Sequence, residues 1–300
     1  MGAVFIPPAT CSLLSNQKTE AYRVASGNGI WMERFGPAFV ISTHQKPDTK
    51  VVAQLQKWCK KNAQPCEAIY YHSLSEKPGN HSSMTLVEGS PLKQPLIVRE
   101  LQVQYTIHLN CYPPGLALDQ RENRIFLSSR KPKSLLNLFA HTCPFSLVAA
   151  MRGAETTNID VSEKILEWGK KNFTTNNLLL RPHKFIQEDA GIYLQKCVRK
   201  NAQYDCIILD APTTSRSKIG GVFQVEERLP LLMEQALQIL RPGGSILVTT
   251  NSKSFTFTGL AAKALDILRK LGRKAEFHRT PDLPDVAPED APASLWILTD

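Results

Sequence analysis

No apolar run in this chain approaches the roughly 18 residues that a helix needs to cross a bilayer, so no membrane-spanning helix and no membrane partner are expected. The seven cysteines, at positions 11, 59, 66, 111, 143, 197 and 206, include no Cys-x-x-Cys pair and have no His pair nearby at zinc spacing. A structural zinc site of the usual four-ligand kind is thereby excluded, and no metal is expected. Their odd number and scatter argue against a disulfide framework and for a reducing compartment, which makes the expected location cytoplasmic. Residues 1–14 lack the basic flank of a secretory signal, and Ile6 stands where a myristoylation motif behind Gly2 requires Ser or Thr. Internal repeats and low-complexity tracts are absent too.

Acid is in the minority. The chain carries 36 Lys and Arg against 27 Asp and Glu, a formal net charge of +9 and a sequence pI near 9.2, a balance that favours a polyanionic partner such as nucleic acid. Its 300 residues, 42% of them apolar, suffice to bury a substantial core. Nothing in the composition selects an oligomeric state.

From residue 131 onward, strand and helix patterns alternate. Strands are expected at 135–139, 157–159, 183–187, 204–209 and 245–249, with helices at 145–151, 162–172, 190–198, 225–240 and 259–271, and two closing strands at 274–279 and 294–298. Such alternation predicts an α/β fold, a doubly wound sheet with helices on both faces. Residues 1–130 read differently, as a smaller α+β domain. It has short strands at 39–42, 68–72, 96–100 and 102–109, one helix at 50–62, and a loop at 73–94 rich in Ser, Gly, Pro and Lys.

In an open parallel sheet the loops leaving the carboxyl ends of the strands form the ligand crevice. Three such loops stand out. Asn137-Leu138-Phe139-Ala140-His141-Thr142-Cys143-Pro144 follows the first strand of the alternating region. A nucleotide-binding turn usually opens its backbone amides with glycine, yet Cys143-Pro144 occupies the place where glycine is expected, and proline has no N–H. A proline in the first turn of a helix fits equally well. Asp160, after the second strand, is placed to accept hydrogen bonds from both hydroxyls of a nucleoside ribose, although an acid near a helix start is also ordinary. Asp189, after the third, is placed to accept from an adenine amine. The other two loops are Asp210-Ala211-Pro212-Thr213-Thr214-Ser215-Arg216-Ser217-Lys218 and Thr250-Asn251-Ser252-Lys253-Ser254-Phe255, which combine acid, amide, hydroxyls and cations in one acceptor region.

These loops, together with Gly115-Leu116-Ala117-Leu118-Asp119-Gln120-Arg121-Glu122-Asn123-Arg124, Ala21-Tyr22-Arg23-Val24 and Glu33-Arg34-Phe35-Gly36, resemble the bacterial large-subunit ribosomal RNA methyltransferases that use S-adenosylmethionine. The resemblance implies a Rossmann-like class I methyltransferase domain over 131–300 and a small substrate-gripping domain over 1–130. It implies S-adenosylmethionine as cofactor, held by Asp119, Arg121, Asn137, Phe139, Thr142, Asp160, Val161, Asp189, Ala190 and Asp210. Its partner would be RNA, as ribosomal RNA or a ribosomal particle.

Two branches of that family differ in the acceptor loops. Methylation of cytosine C5 needs a thiolate to add to carbon 6, and Thr250-Asn251-Ser252 offers none. The guanine-N7 branch shows Asp-Pro-Pro-Thr-Phe-Ser-x-Ser-Lys against residues 210–218 here, and an Asn-rich loop ending in Phe against residues 251–255. The resemblance therefore favours guanine N7, with Asp210, Pro212 and Asn251 as catalytic residues and Arg216, Lys218 and Lys253 on phosphates. Cytosine C5 stands as the second target; Ala211, Thr214 and His141, together with Cys143-Pro144, depart from the family pattern, so an RNA-binding relative without turnover stands as a further alternative.

Overall fold

A computed structural model describes residues 3–74, 84–217 and 221–300, with Arg216 and Ser217 described as backbone alone. The chain divides into two compact units, Met1–Asp119 with Asp282–Asp290, and Gln120–Pro281 with Ala291–Asp300. Among the described residues no helix is long and apolar enough to cross a membrane.

The first unit contains β1 (Val4–Phe5), α1 (Pro8–Asn16), β2 (Ala21–Gly27), β3 (Ile30–Phe35), β4 (Ala38–Thr43), α2 (Thr49–Lys61), β5 (Ala68–Ser73), β6 (Thr85–Gly89), β7 (Leu96–Glu100) and β8 (Val103–Ile107). Strands β1 to β6 form one sheet in chain order and β7–β8 a separate ribbon. Among the described residues of this unit only β4 and β5 pair in parallel, because α2 provides the crossover that a parallel pair requires. Asp48 caps α2 by accepting from the Val51 N–H. Leu55 and Trp58 of α2 then pack with Leu14 of α1 over Tyr22, Val24, Met32, Phe39 and Ile41.

The segments 21–24 and 33–36 are fastened by buried charge. Arg23 donates to Glu33 at 3.2 Å and to Asp290 at 3.0 Å, and its backbone N–H donates to Asp285 at 3.1 Å. The guanidinium also stacks over Trp31, 5.0 Å from the ring centre. Burial pushes the Glu33 carboxyl up, with Arg23 pulling against it. Asp285 and Asp290 belong to the Pro-rich loop ahead of the last strand, which is why Asp282–Asp290 counts with the first unit.

In the second unit the chain runs through α3 (Arg121–Arg130), β9 (Ser134–Leu138), α4 (Pro144–Ala150), β10 (Glu155–Asp160), α5 (Glu163–Thr175), β11 (Lys184–Gln187), α6 (Ala190–Arg199) and β12 (Tyr204–Asp210). A hairpin of β13 (Thr214–Ser217) and β14 (Gly221–Gln224) follows, then α7 (Val225–Gln238), β15 (Leu240–Thr250), α8 (Phe257–Lys270), β16 (Ala275–His278) and β17 (Ala293–Thr299). The sheet order is β11-β10-β9-β12-β15-β17-β16. Strands β11, β10, β9, β12 and β15 are parallel and β17 is antiparallel to both its neighbours.

This is the doubly wound α/β sheet that the alternation predicts. Period-two alternation sends Leu136, Leu138, Ile207, Leu209, Ile246 and Val248 against α6, α7 and α8. Leu135, Cys206, Ile208, Leu247 and Trp296 face the other way, against Leu127 of α3 and Phe145 and Ala149 of α4. Within segment 119–124, Asn123 is structural. Asn123 donates to Gln120 and Ser294 and accepts from Trp296 Nε1 at 2.9 Å and from Thr280, a satisfied polar hub inside the unit.

The structure adds elements where residues 73–94 and 210–224 read as loop, namely β6 and the β13–β14 hairpin, and also β1, β2, β3, α1 and α3.

Removing one partner of a buried ion pair strands the other charge, so Arg23→Ala is expected to cost roughly 3–5 kcal/mol in urea unfolding. The paired replacement Arg23→Met with Glu33→Leu should recover most of that loss. A single variant as stable as the parent would remove the buried pair from the list of determinants of this unit.

Candidate active site

Strand order reverses between β9 and β12, and the crevice of such a sheet lies at the carboxyl ends of those strands. After β9, Phe139, His141 and Cys143 take left-handed backbone conformations, with φ of 56°, 48° and 61°. Glycine usually occupies such positions. Here hydrogen bonds impose the conformation on other residues: Ala140 N–H to the Ile159 carbonyl at 2.9 Å, Cys143 N–H to the Ala140 carbonyl at 2.8 Å, and His141 N–H to Asp160 Oδ2 at 2.9 Å.

Cys143 therefore stands in a glycine-like conformation and still carries a side chain. Room for it comes from α5, where a Cβ added at Gly169 would lie 2.6 Å from the Cys143 sulfur. Burial, and then the neighbouring Asp160 charge, holds the Cys143 thiol well above its ordinary pKa. It is a packed, protonated thiol rather than a nucleophile.

Asp160 ends β10 and ties to it the loop after β9, the expected donor loop. Its Oδ1 accepts from the Ser162 N–H at 3.0 Å and its Oδ2 from the His141 N–H at 2.9 Å. Each oxygen of an ionised carboxylate keeps a second lone pair. A ribose with two adjacent hydroxyls fits that pair of acceptors, and Val161 follows, half-buried, at the same edge. Asp189 caps α6 through Oδ1, which accepts from the Gly191 and Ile192 N–H groups at 2.9 and 3.1 Å and faces Arg228 at 3.5 Å. Its described contacts all fall on Oδ1; Ala190 follows, buried.

Other expected donor residues lie deeper. Asn137 donates to Ser146 at 2.9 Å and the Thr142 carbonyl accepts from Asn172 at 2.9 Å, so both side chains are enclosed in the scaffold of the loop. Arg121 is fully buried at the start of α3, and Asp119 is the last residue of the first unit's main segment.

The two acceptor loops are joined at their roots. Ala211 N–H donates to the Thr249 carbonyl at 2.9 Å, which sets Asp210 and the half-buried Pro212 beside the end of β15. Val225 N–H donates to the Thr213 carbonyl at 3.2 Å and closes the base of the hairpin. One residue on, Glu226 accepts from the buried Ser252 hydroxyl at 2.5 Å, and that hydroxyl accepts in turn from the Ser254 N–H at 3.3 Å. The Ser252 bond leads the influences that hold the Glu226 carboxyl below its usual range. Asn251, immediately before Ser252, is exposed at the crevice edge with Lys253 beyond it. Phe139 of the donor loop packs against Phe223 of β14, ring centres 5.0 Å apart. Lys218 lies outside the described residues, and Arg216 is placed by its backbone in β13.

Sequence reasoning missed Glu226 and Ser252. An acid in the first turn of a helix is commonplace, and no local pattern marks one that reaches across to a second loop.

Residues 57–297 match the model of the S-adenosylmethionine-dependent methyltransferase family. The chain is 38% identical over 177 residues to the ribosomal RNA large subunit methyltransferase K/L of Psychromonas ingrahamii, covering 58% of this chain and 23% of that protein. It is 32% identical over 280 residues to the protein of the same name from Colwellia psychrerythraea, covering 85% and 38%. The chain thus spans less than half the length of the curated relatives it matches. Among solved structures, the methyltransferase SMU.776 complexed with SAH superposes with a TM-score of 0.78 at 22% identity, covering 97% of this chain and 79% of that one, a likeness of fold.

The Cys143 and Gly169 contact carries a stability test. Gly169→Ala drives a methyl into the sulfur and is expected to cost about 1–3 kcal/mol. Adding Cys143→Ala should return part of it, which thermal unfolding of the two singles and the double will read. Strictly additive losses would mean that the two side chains do not share this space.

Proposed function

The chain belongs to the S-adenosylmethionine-dependent methyltransferase family, and from that premise we propose that it methylates RNA, with large-subunit ribosomal RNA as substrate and guanine N7 as the acceptor atom. The observation that carries the choice of atom is the make-up of the two joined acceptor loops: they carry Asp210, Pro212 and Asn251, and no cysteine. Cys206 lies inside β12 facing α3 and α4, Cys197 is in α6, and Cys143 is packed under Gly169. The names of the relatives and the net charge of +9 support RNA as substrate.

S-adenosylmethionine supplies an electrophilic methyl on a sulfonium. In this reading Asp160 holds the ribose hydroxyls by the outer lone pairs of its two oxygens, Asp189 and Ala190 hold the adenine, and the backbone of residues 139–143 lines the rest of the donor pocket. Guanine N7 presents an in-plane lone pair and needs no general base, so catalysis is mainly alignment. Asp210 and Asn251 orient the base edge, and Pro212 stiffens the loop between them. The Glu226 to Ser252 hydrogen bond fixes the turn that carries Asn251. Lys253, Arg216 and Lys218 neutralise phosphates, and the first unit shares in gripping the RNA. The reaction takes place in the cytoplasm, where the ribosomal substrate is made.

Two measurements test this. Asp160→Asn removes the charge while keeping one acceptor oxygen, and should weaken S-adenosylmethionine binding in calorimetry by about 1.5–3 kcal/mol. Parent affinity in a variant that melts like the parent would put the donor elsewhere. RNA substituted with 5-fluorocytidine should form no covalent adduct with the chain, since no thiol is placed to add to carbon 6. An adduct mapped to any of the seven cysteines would move the reaction to cytosine C5.

A further inference from the structure

The amino ends of β9, β12 and β15 point away from the methyl-transfer crevice, at the opposite edge of the same sheet. They border a pocket of about 320 Å³ lined by Arg130, Lys131, Lys133, Asp205, Arg241 and Ser245 among others. Its single acid is already committed. Asp205 Oδ1 accepts from Arg241 at 2.9 Å, and Oδ2 accepts from the Ser134 N–H and hydroxyl at 2.8 and 3.0 Å. Burial opposes the Asp205 charge, but the bonds from Arg241 and Ser134 outweigh it and keep the carboxyl below its usual range.

Asp205 thus cancels Arg241, while Arg130, Lys131 and Lys133 have no acidic partner among the described residues. All three are exposed. Their positions are set by backbone rather than by ion pairs: α3 ends at Arg130, Lys131 takes the left-handed cap at φ 46°, Pro132 is buried, and the Lys133 carbonyl accepts from Glu155 N–H at 2.9 Å. A rigid turn therefore presents three uncompensated cations to one cavity.

The lining indicates what kind of anion fits. No aromatic side chain and no large apolar one faces the pocket, so nothing there would stack a base. A guanidinium and two ammonium groups suit the oxygens of a phosphodiester. Contacts of that kind position RNA without reading its sequence.

We propose that this pocket is a second RNA contact, a phosphate-backbone subsite at the sheet edge opposite the methyl-transfer site. The proposal rests on the reading of RNA as the acceptor and adds where else that RNA is held. Strand β12 has seven residues, which at about 3.3 Å each separates the two edges by roughly 20 Å. Only an RNA long enough to reach around that distance engages both, so the subsite makes affinity depend on substrate length.

The test compares the parent chain with Arg130→Gln/Lys131→Gln/Lys133→Gln on two RNAs: a folded fragment of large-subunit ribosomal RNA, and a short single strand sized to the acceptor loops. With the long RNA, the variant should lose about tenfold or more in affinity at physiological salt, and its slope of log K against log salt should shrink by about one to three units, one per phosphate released. With the short RNA, affinity, slope and turnover at saturation should match the parent, as should S-adenosylmethionine binding. The charge-preserving variant Arg130→Lys/Lys131→Arg/Lys133→Arg should behave as the parent on both. If the triple variant melts early, Lys133→Glu alone should move the long-RNA slope in the same direction.

Parent-like long-RNA binding at every salt concentration overturns the subsite and leaves the acceptor reading standing. So does an equal loss on both RNAs, which would put these cations in the acceptor site. A parent that binds neither RNA overturns the acceptor reading and the subsite together. Unchanged RNA binding with a lost response to inorganic phosphate in NMR titration would make the pocket a small-anion site, against the proposal.

Discussion

Reversal of strand order between β9 and β12 is the constraint on which the second unit depends. The chain leaves β9 for α4 on one face of the sheet and leaves β12 for the hairpin and α7 on the other. Two neighbouring strands whose exits part in this way cannot cover their own carboxyl ends, and a crevice results from connectivity alone. Asp160 and Asp189 line that edge because β10 pairs in parallel with β9 and β11 with β10. Asp210 and Asn251 reach it because β12 and β15 pair up to Asp210 and Thr249.

Each flank of the crevice is then stiffened by a polar side chain acting on backbone or on another loop. Asp160 holds the donor loop by one N–H and the start of the next helix by another. Glu226 performs the corresponding task for the loop after β15, through Ser252. Between them Phe139 and Phe223 put the donor loop in ring contact with the acceptor hairpin. Carboxylates and aromatics thus supply the rigidity that a site of this kind needs if alignment is to carry the rate.

The parallel half of the molecule was legible because its strands obey period two and its helices period 3.6, each over enough residues to show. Elements were lost where burial is polar or composition misleads. Helix α3 buries Arg121, Asn123 and Arg124, so its inward face does not read as apolar. β6 falls inside a stretch whose Ser, Gly, Pro and Lys content signals loop. β13 is Thr-Ser-Arg-Ser, without an apolar residue to alternate. The place of Asp160 at a strand end was legible from the pattern; the reach of Glu226 and the bonding of Asp285 and Asp290 to Arg23 depend on residues distant in the chain.

The left-handed turn at Cys143 has a consequence for how this chain can change. Placing glycine at 143 with Gly169 in place leaves a void where the sulfur sat, whereas enlarging position 169 first produces a collision. The two sites therefore form an epistatic pair with a preferred order of mutation: a cysteine at 143 needs a glycine already present on the facing helix. Cysteine at 143 and a small residue at 169 should accordingly be inherited together, and a descendant that breaks the pair should do so from the cysteine side.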